Sequence, residues 1–362
     1  MKKVTVASLL VLVAAGCGRP KTGDRPKTEA GLVAGYSAVL VQSHLNNPSC
    51  VSFSPRGELT VVDSGNGAVY LWTKANKQCP VPLVTGFKTE HWKVDAKTGT
   101  KRFKLGPLSA VWVSEGLLAV TDGGKPDGEE TVNFYAVRRK GGGVAPLTSA
   151  EATSSNSVPP TSGDKADKGE GNLTGMSLSP GRDTLYICGQ GSDAKTWVLS
   201  CDVKARRLKP ILSADDHGIA VNSPMQCLYK KPGWLLVLYS GDGGKADGLI
   251  VEWDLASGKP VNKWTLPGLV DPMGMDFVPG KKDELVVVDN NWALKKVNPG
   301  RLARVRLPGG KSRAEVEIIG KGLRGPVSCA FGPDGKLYVA QLGEMFDSDL
   351  GTVIAIDGFV KK

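Results

Sequence analysis

The 362-residue chain carries 46 Lys and Arg against 36 Asp and Glu, a formal net charge of +10, with 46 Gly and 23 Pro. The basic excess lies in short clusters such as Arg138-Arg139-Lys140 and Lys230-Lys231, without the interleaved aromatic residues of a single-strand reader, which excludes a nucleic-acid partner. No apolar run approaches the roughly 20 residues of a membrane-spanning helix. Neither a Gly-x-Ser-x-Gly elbow nor a Gly-x-x-x-x-Gly-Lys-Ser/Thr loop occurs, so acyl-serine and nucleotide-triphosphate chemistry have no support.

The chain opens on Lys2-Lys3, an apolar run over 4–15 and the small residues Ala14-Ala15-Gly16, the order of an export signal. A signal peptide is expected over 1–16. Cys17 after Ala-Ala-Gly resembles the lipobox of bacterial lipoproteins, which implies a lipidated N-terminal Cys17, a membrane partner through that anchor and residence in the cell envelope. Residues 17–35 repeat Arg-Pro-Lys-Thr and hold no large apolar side chain before Leu32, the composition of a solvated tether.

The first repeat unit spans 48–63: a short strand closing on Phe53, a Pro/Gly turn, then a strand rich in β-branched residues. It returns at 108–122, 174–189, 224–240, 272–289 and 326–341, with Trp112, Leu178, Tyr229, Phe277 and Phe331 at the closing position, 48 to 66 residues apart. Third strands follow at 68–72, 131–137, 197–200 and 248–253, and fourth strands at 81–84, 208–212, 261–266 and 314–319. Four strands per unit without helical periodicity make an all-β chain of four-stranded antiparallel blades, a six-bladed β-propeller over 36–358. The last unit has only three strands. The orphan strand at 36–42 leads into Leu-Asn-Asn-Pro at 45–48, as 323–326 leads into its own unit, and is expected to complete that blade and close the ring. Residues 91–103 and 141–172 fall outside these units and leave a seven-bladed ring as the alternative; the second stretch, rich in Ser, Thr, Gly and charge, reads as a flexible insertion.

The unit at 45–67 resembles NHL-type repeats, and the whole of 36–358 is similar to six-bladed NHL and gluconolactonase-like propellers. The resemblance implies a fold that serves many functions, with binding at the mouth of the central channel. In gluconolactonase-like enzymes a divalent ion sits there; Asn172, Asp271 and Asp289 occupy comparable repeat positions, while Asn46-Asn47 stands where the family's glutamate is expected.

The same face should receive the loops between second and third strands, with Asp63, Asn66, Asp122, Asp242, Asn291 and Glu344 as candidate binding residues. Two of these loops, at 121–128 and 241–248, share Asp-Gly-Gly-Lys-x-Asp-Gly; oxygen ligands between glycines suit Ca²⁺, and Asp-Gly pairs equally suit long hairpin turns. His44, His91 and His217 stand in no metal-ligand spacing. The six cysteines after Cys17 leave both pairing and burial open, with Cys50, Cys227 and Cys329 on expected inner strands. Two functions follow: a binding or scaffold propeller for protein or glycan, without a required cofactor, or a metal-dependent lactonase-like hydrolase or sugar-linked quinoprotein-like oxidoreductase.

Overall fold

The computed structural model describes residues 31–73, 79–94, 97–126, 129–140, 143–157, 172–190, 196–291, 299–343 and 348–360. Six antiparallel sheets stand around a central channel. Blade 1 runs outward from Pro48–Phe53 through Leu59–Asp63 and Ala68–Trp72 to Val81–Thr85, and blade 2 from Pro107–Ser114 through Leu117–Asp122 and Thr131–Ala136 to Ser154–Ser157. Blades 3 and 4 have inner strands Met176–Leu178 and Pro224–Lys231 and outer strands Arg207–Ser213 and Lys259–Thr265. Blade 5 runs from Pro272–Phe277 to Glu315–Leu323, and blade 6 from Pro326–Phe331 through Leu337–Gln341 to Gly351–Asp357. Five inner strands begin on Pro, where a missing N–H costs no ladder bond.

The ring closes as the sequence requires: Ser37–Leu45 pairs antiparallel with Gly351–Asp357 as the outer strand of blade 6. Inner strands of successive blades touch all the way round, blade 6 on blade 1 included. Second strands are largely apolar and buried on both faces, as Glu284–Asp289 is buried from end to end around Leu285-Val-Val-Val288, because each faces a neighbouring blade. The core is therefore split into layers between blades. Val62, Val69 and Leu71 meet Trp112 and Leu118 between blades 1 and 2; Leu45 and Val353 meet Val51 and Val61 between blades 6 and 1.

Three expectations need correction. The stretch at 91–103 is a two-stranded hairpin, Glu90–Val94 with Lys101–Leu105, and not a seventh blade. The insertion expected over 141–172 is shorter, since Ser154–Ser157 is the outer strand of blade 2 and Leu147–Thr148 adds a parallel fifth strand to blade 1; residues 158–171 lie outside the described residues. The end of the expected tether is structured as well. Gly31–Leu32 pairs with blade 5, and Leu32 fills the space over Gly320, where a Cβ would come within 2.8 Å of its Cδ2. The signal segment and Cys17 lie outside the described residues.

The five described free cysteines, Cys50, Cys188, Cys201, Cys227 and Cys329, carry thiols. Burial pushes the Cys188 and Cys329 thiols well above their ordinary value. Among the described residues no helix is long and apolar enough to cross a membrane.

Candidate functional site

Loops leaving the second strands and loops entering the inner strands meet on one face. Between them lies a cavity of about 220 Å³, walled by residues from all six blades. The residue before the inner strand contributes in blades 1, 4 and 5: Asn47 precedes Pro48, Ser223 precedes Pro224 and Asp271 precedes Pro272. Asn47 and Ser223 take left-handed backbone, φ 49° and 57°, as does Gly325 before Pro326, φ 63°; the chain turns there from an outer strand to the next inner one. Held off-centre in this way, the Asn47 and Ser223 side chains face the cavity.

The wall is made of amides, hydroxyls and apolar groups. Asn47, Asn172, Gln226 and Asn290 supply amides, while Ser49, Ser109, Thr174, Ser223 and Ser240 supply hydroxyls. Phe103, Leu108, Met225 and Met273 supply apolar surface. Asp271 is the one carboxylate, and no Lys, Arg or His lines the cavity among the described residues. Asp271 is buried, and its Oδ1 accepts the Gly244 N–H at 2.9 Å.

The acids expected at the mouth divide sharply. Asp289 does not reach the cavity: it is fully buried, and its Oδ1 accepts the amides of Val270, Asp271 and Asn291 at 3.2, 2.8 and 3.1 Å. Burial raises its pKa, against the pull of the Asp271 amide and Arg301. Asp63 repeats the arrangement in blade 1, accepting the Asn46 amide at 2.7 Å and the Asn66 side chain at 2.8 Å. Burial pushes its carboxyl up to about 6. Gln341 does the same in blade 6, accepting the Arg324 amide at 2.8 Å. The acceptor ending the second strand thus ties down the loop that enters its own blade. Asn66 is exposed and Asn291 bonds Pro299 and Arg301; neither lines the cavity.

In the two twin loops the lysine itself sits on the aspartate. Lys245 Nζ lies 2.6 Å from Asp242 and Lys125 Nζ 3.7 Å from Asp122, where a hard cation would bind. Hydrogen bonds from Lys245 and Asn222 hold the Asp242 carboxyl low, whereas burial raises that of Asp122. Of the expected metal set the cavity therefore receives Asn172 and Asp271 only. Among the described residues no three His, Cys, Asp or Glu are placed to hold a metal. Glu344 lies outside the described residues. The histidines stand away from the cavity lining; His217 packs edge-on against Trp253 at 5.5 Å.

Gln226 and the hydroxyls went unnoticed in the sequence because small polar residues beside turns carry no chemical signature, whereas Asn290 stood beside the candidates Asp289 and Asn291 and Asn47 at the place of the family's glutamate. Repeat register supplied the missing signal, since the lining clusters at the residues flanking each opening Pro.

No protein-family model matches the chain, and no curated protein matches it significantly. Solved structures do match over nearly the whole length. The PQQ domain of pyranose dehydrogenase from Coprinopsis cinerea aligns at TM-score 0.55 with 11% identity, covering 92% of this chain and 98% of that one. A putative oxidoreductase (glucose dehydrogenase) from Thermus thermophilus aligns at 0.54 with 13% identity, covering 89% and 100%. The PQQ-bound aldose sugar dehydrogenase of Streptomyces coelicolor aligns at 0.51 with 13% identity, covering 89% and 98%. At such identities the likeness is one of fold alone, a six-bladed β-propeller.

Proposed function

We propose that the chain is an exported propeller, held at a membrane by a lipid on Cys17, that binds a neutral polyhydroxylated ligand of the glycan type in its channel-mouth cavity and performs no chemistry on it. One observation carries this reading. The cavity wall alternates amides and hydroxyls with Phe103, Met225 and Met273, and holds a single carboxylate; such a wall exchanges hydrogen bonds with hydroxyls while covering the apolar faces of a sugar ring. A hard cation would need more charge than Asp271 supplies.

The fold comparison favours a second reading, a quinone-dependent sugar oxidoreductase. The cofactor of those neighbours is a tricarboxylate quinone, and the described lining offers it no cationic side chain and no imidazole. The residues present do not fit that group, and no catalytic step is derived through it.

The test is a titration of the purified full chain with neutral oligosaccharides in EDTA, read by thermal shift. Stabilisation that survives chelation and disappears in Ser49→Phe, which fills the cavity, supports the reading. Binding that requires Ca²⁺, or that Ser49→Phe leaves intact, overturns it. For the anchor, Cys17→Ser should release the chain from membranes; unchanged retention contradicts lipidation at Cys17.

A further inference from the structure

The hairpin between blades 1 and 2 is a built part of the channel-mouth face and carries the charge that the cavity lacks. Its base is clamped by close backbone contacts. A Cβ on Gly67 would come within 2.5 Å of Phe87 O, one on Gly124 within 2.0 Å of Lys88 O, and one on Gly106 within 2.6 Å of Ser64 O. The Gly106 N–H donates to Ser64 Oγ at 2.8 Å, and Asn47 Nδ2 donates to Lys104 O at 3.1 Å. The returning strand Lys101–Leu105 thereby becomes part of the cavity wall through Phe103 and Leu105. Phe103 is buried at φ 40°, a conformation an aromatic residue keeps only where its surroundings impose it.

On either side of Phe103 the same strand bears Lys101, exposed, and Lys104, half-buried. The sequence from 88 to 104 holds six Lys and Arg against two Asp and Glu. Two other lysines of the mouth are engaged within their own loops, Lys125 on Asp122 and Lys245 on Asp242. Lys101 and Lys104 form no ion pair with a described residue. Both stand on the strand that walls the cavity through Phe103 and Leu105, and their positive potential is added to a lining whose one described carboxylate is Asp271.

We propose that the hairpin selects anionic glycans: the cavity takes the sugar ring and the Lys101/Lys104 strand takes a carboxylate on an adjoining residue, so that the preferred ligand is a uronate-containing oligosaccharide. This rests on the cavity reading above and adds to it the charge of the ligand. Two exposed or half-exposed ion pairs contribute about tenfold in affinity together, in proportion to the charge and sensitive to salt.

The test compares oligogalacturonate with a neutral oligosaccharide of the same length, with poly-glutamate and anionic phospholipid vesicles as further probes. The full chain should bind oligogalacturonate about tenfold more tightly than the neutral sugar at low salt. Lys101→Gln/Lys104→Gln should abolish that preference and leave neutral-sugar binding unchanged, whereas Lys281→Gln/Lys282→Gln, at a turn joining first and second strands on the opposite face, should alter neither. Equal affinity for the two sugars overturns the hairpin's role and leaves the cavity reading standing. Poly-glutamate or vesicles binding as well as oligogalacturonate, with the same loss in the hairpin variant, shows a generic polyanion surface and overturns sugar selection. Binding of neither sugar overturns both readings.

Discussion

Asp276 shows how a side chain that looks chemical can be architectural. On the inner strand of blade 5, it accepts the amides of Phe277 and of Phe331 in blade 6, each at 2.8 Å, and burial pushes its carboxyl up to about 6. Ser177 and Ser328 do the same at other junctions, accepting the amides of Tyr229 and Val51 at 3.2 Å. Inner strands have no ladder partner on the channel side, and these acceptors satisfy N–H groups there. Because the Asp276 and Asp63 values lie above the ordinary 3.8 of the unfolded chain, the protonated forms favour the fold. Their contribution is fully present below about pH 4 and is lost as pH rises through about 6, on the order of 1–3 kcal/mol each. Asp276→Asn should flatten the part of the pH 4–6 stability profile that Asp276 supplies, measured by thermal unfolding; an unaltered slope would show that the carboxyl is ionised throughout. At the blade 1–2 junction Arg139 grips the Glu58 carboxylate at 3.0 and 2.6 Å and holds its pKa low against burial. Arg139→Ala should cost about 2–4 kcal/mol by leaving that carboxylate unpaired, with Glu58→Gln recovering part of the loss in the double variant. Additive losses in the double-mutant cycle would contradict the pairing.

At the scale of elements, the N-terminus does two jobs. Gly31–Leu32 extends blade 5 and Ser37–Leu45 completes blade 6, so one segment fastens neighbouring blades. Removing residues up to 34 should lower the melting temperature by several degrees and keep a monomeric β-fold. Removal up to 46 exposes the edge of Gly351–Asp357 and should give aggregation or unfolding by size exclusion and circular dichroism; a stable monomer would mean the ring closes without it. Inner and second strands were legible because packing between blades imposes Pro, a large closing residue and runs such as Val-Val-Asp. The outer strand Ser154–Ser157 was not, since an edge strand needs only its backbone to pair, and Ser-Ser-Asn-Ser carries no pattern. The 90–105 hairpin hid for a related reason. Its strands pair only with each other, leaving no blade register to find.

For the whole molecule, the ring explains why site and fold diverge in legibility. Asp63 and Asp289 stand out in the sequence because they recur, and they recur because every blade must anchor the loop entering its inner strand. The cavity is lined from all six blades, residues 47, 172, 226, 271 and 290 among them, and the residue before the inner strand changes from Asn47 to Ser223 to Asp271. The basic excess is likewise partly internal. Lys230 bridges Glu252 and Asp283 between blades 4 and 5, at 3.0 Å to each, and Arg206 lies 3.7 Å over the Phe134 ring between blades 2 and 3. What distinguishes the channel-mouth face is therefore its shape and its lining of amides and hydroxyls with Asp271 as the one carboxylate among the described residues, not a cluster of acids. The most direct test is a crystal structure of the full chain grown with a neutral oligosaccharide and EDTA. The account predicts a sugar ring between Phe103, Met225 and Met273, hydrogen-bonded to Asn47, Asn290 or Asp271, with no ion beside it; sugar on the outer blade surface, or a metal held at Asp271, would contradict it.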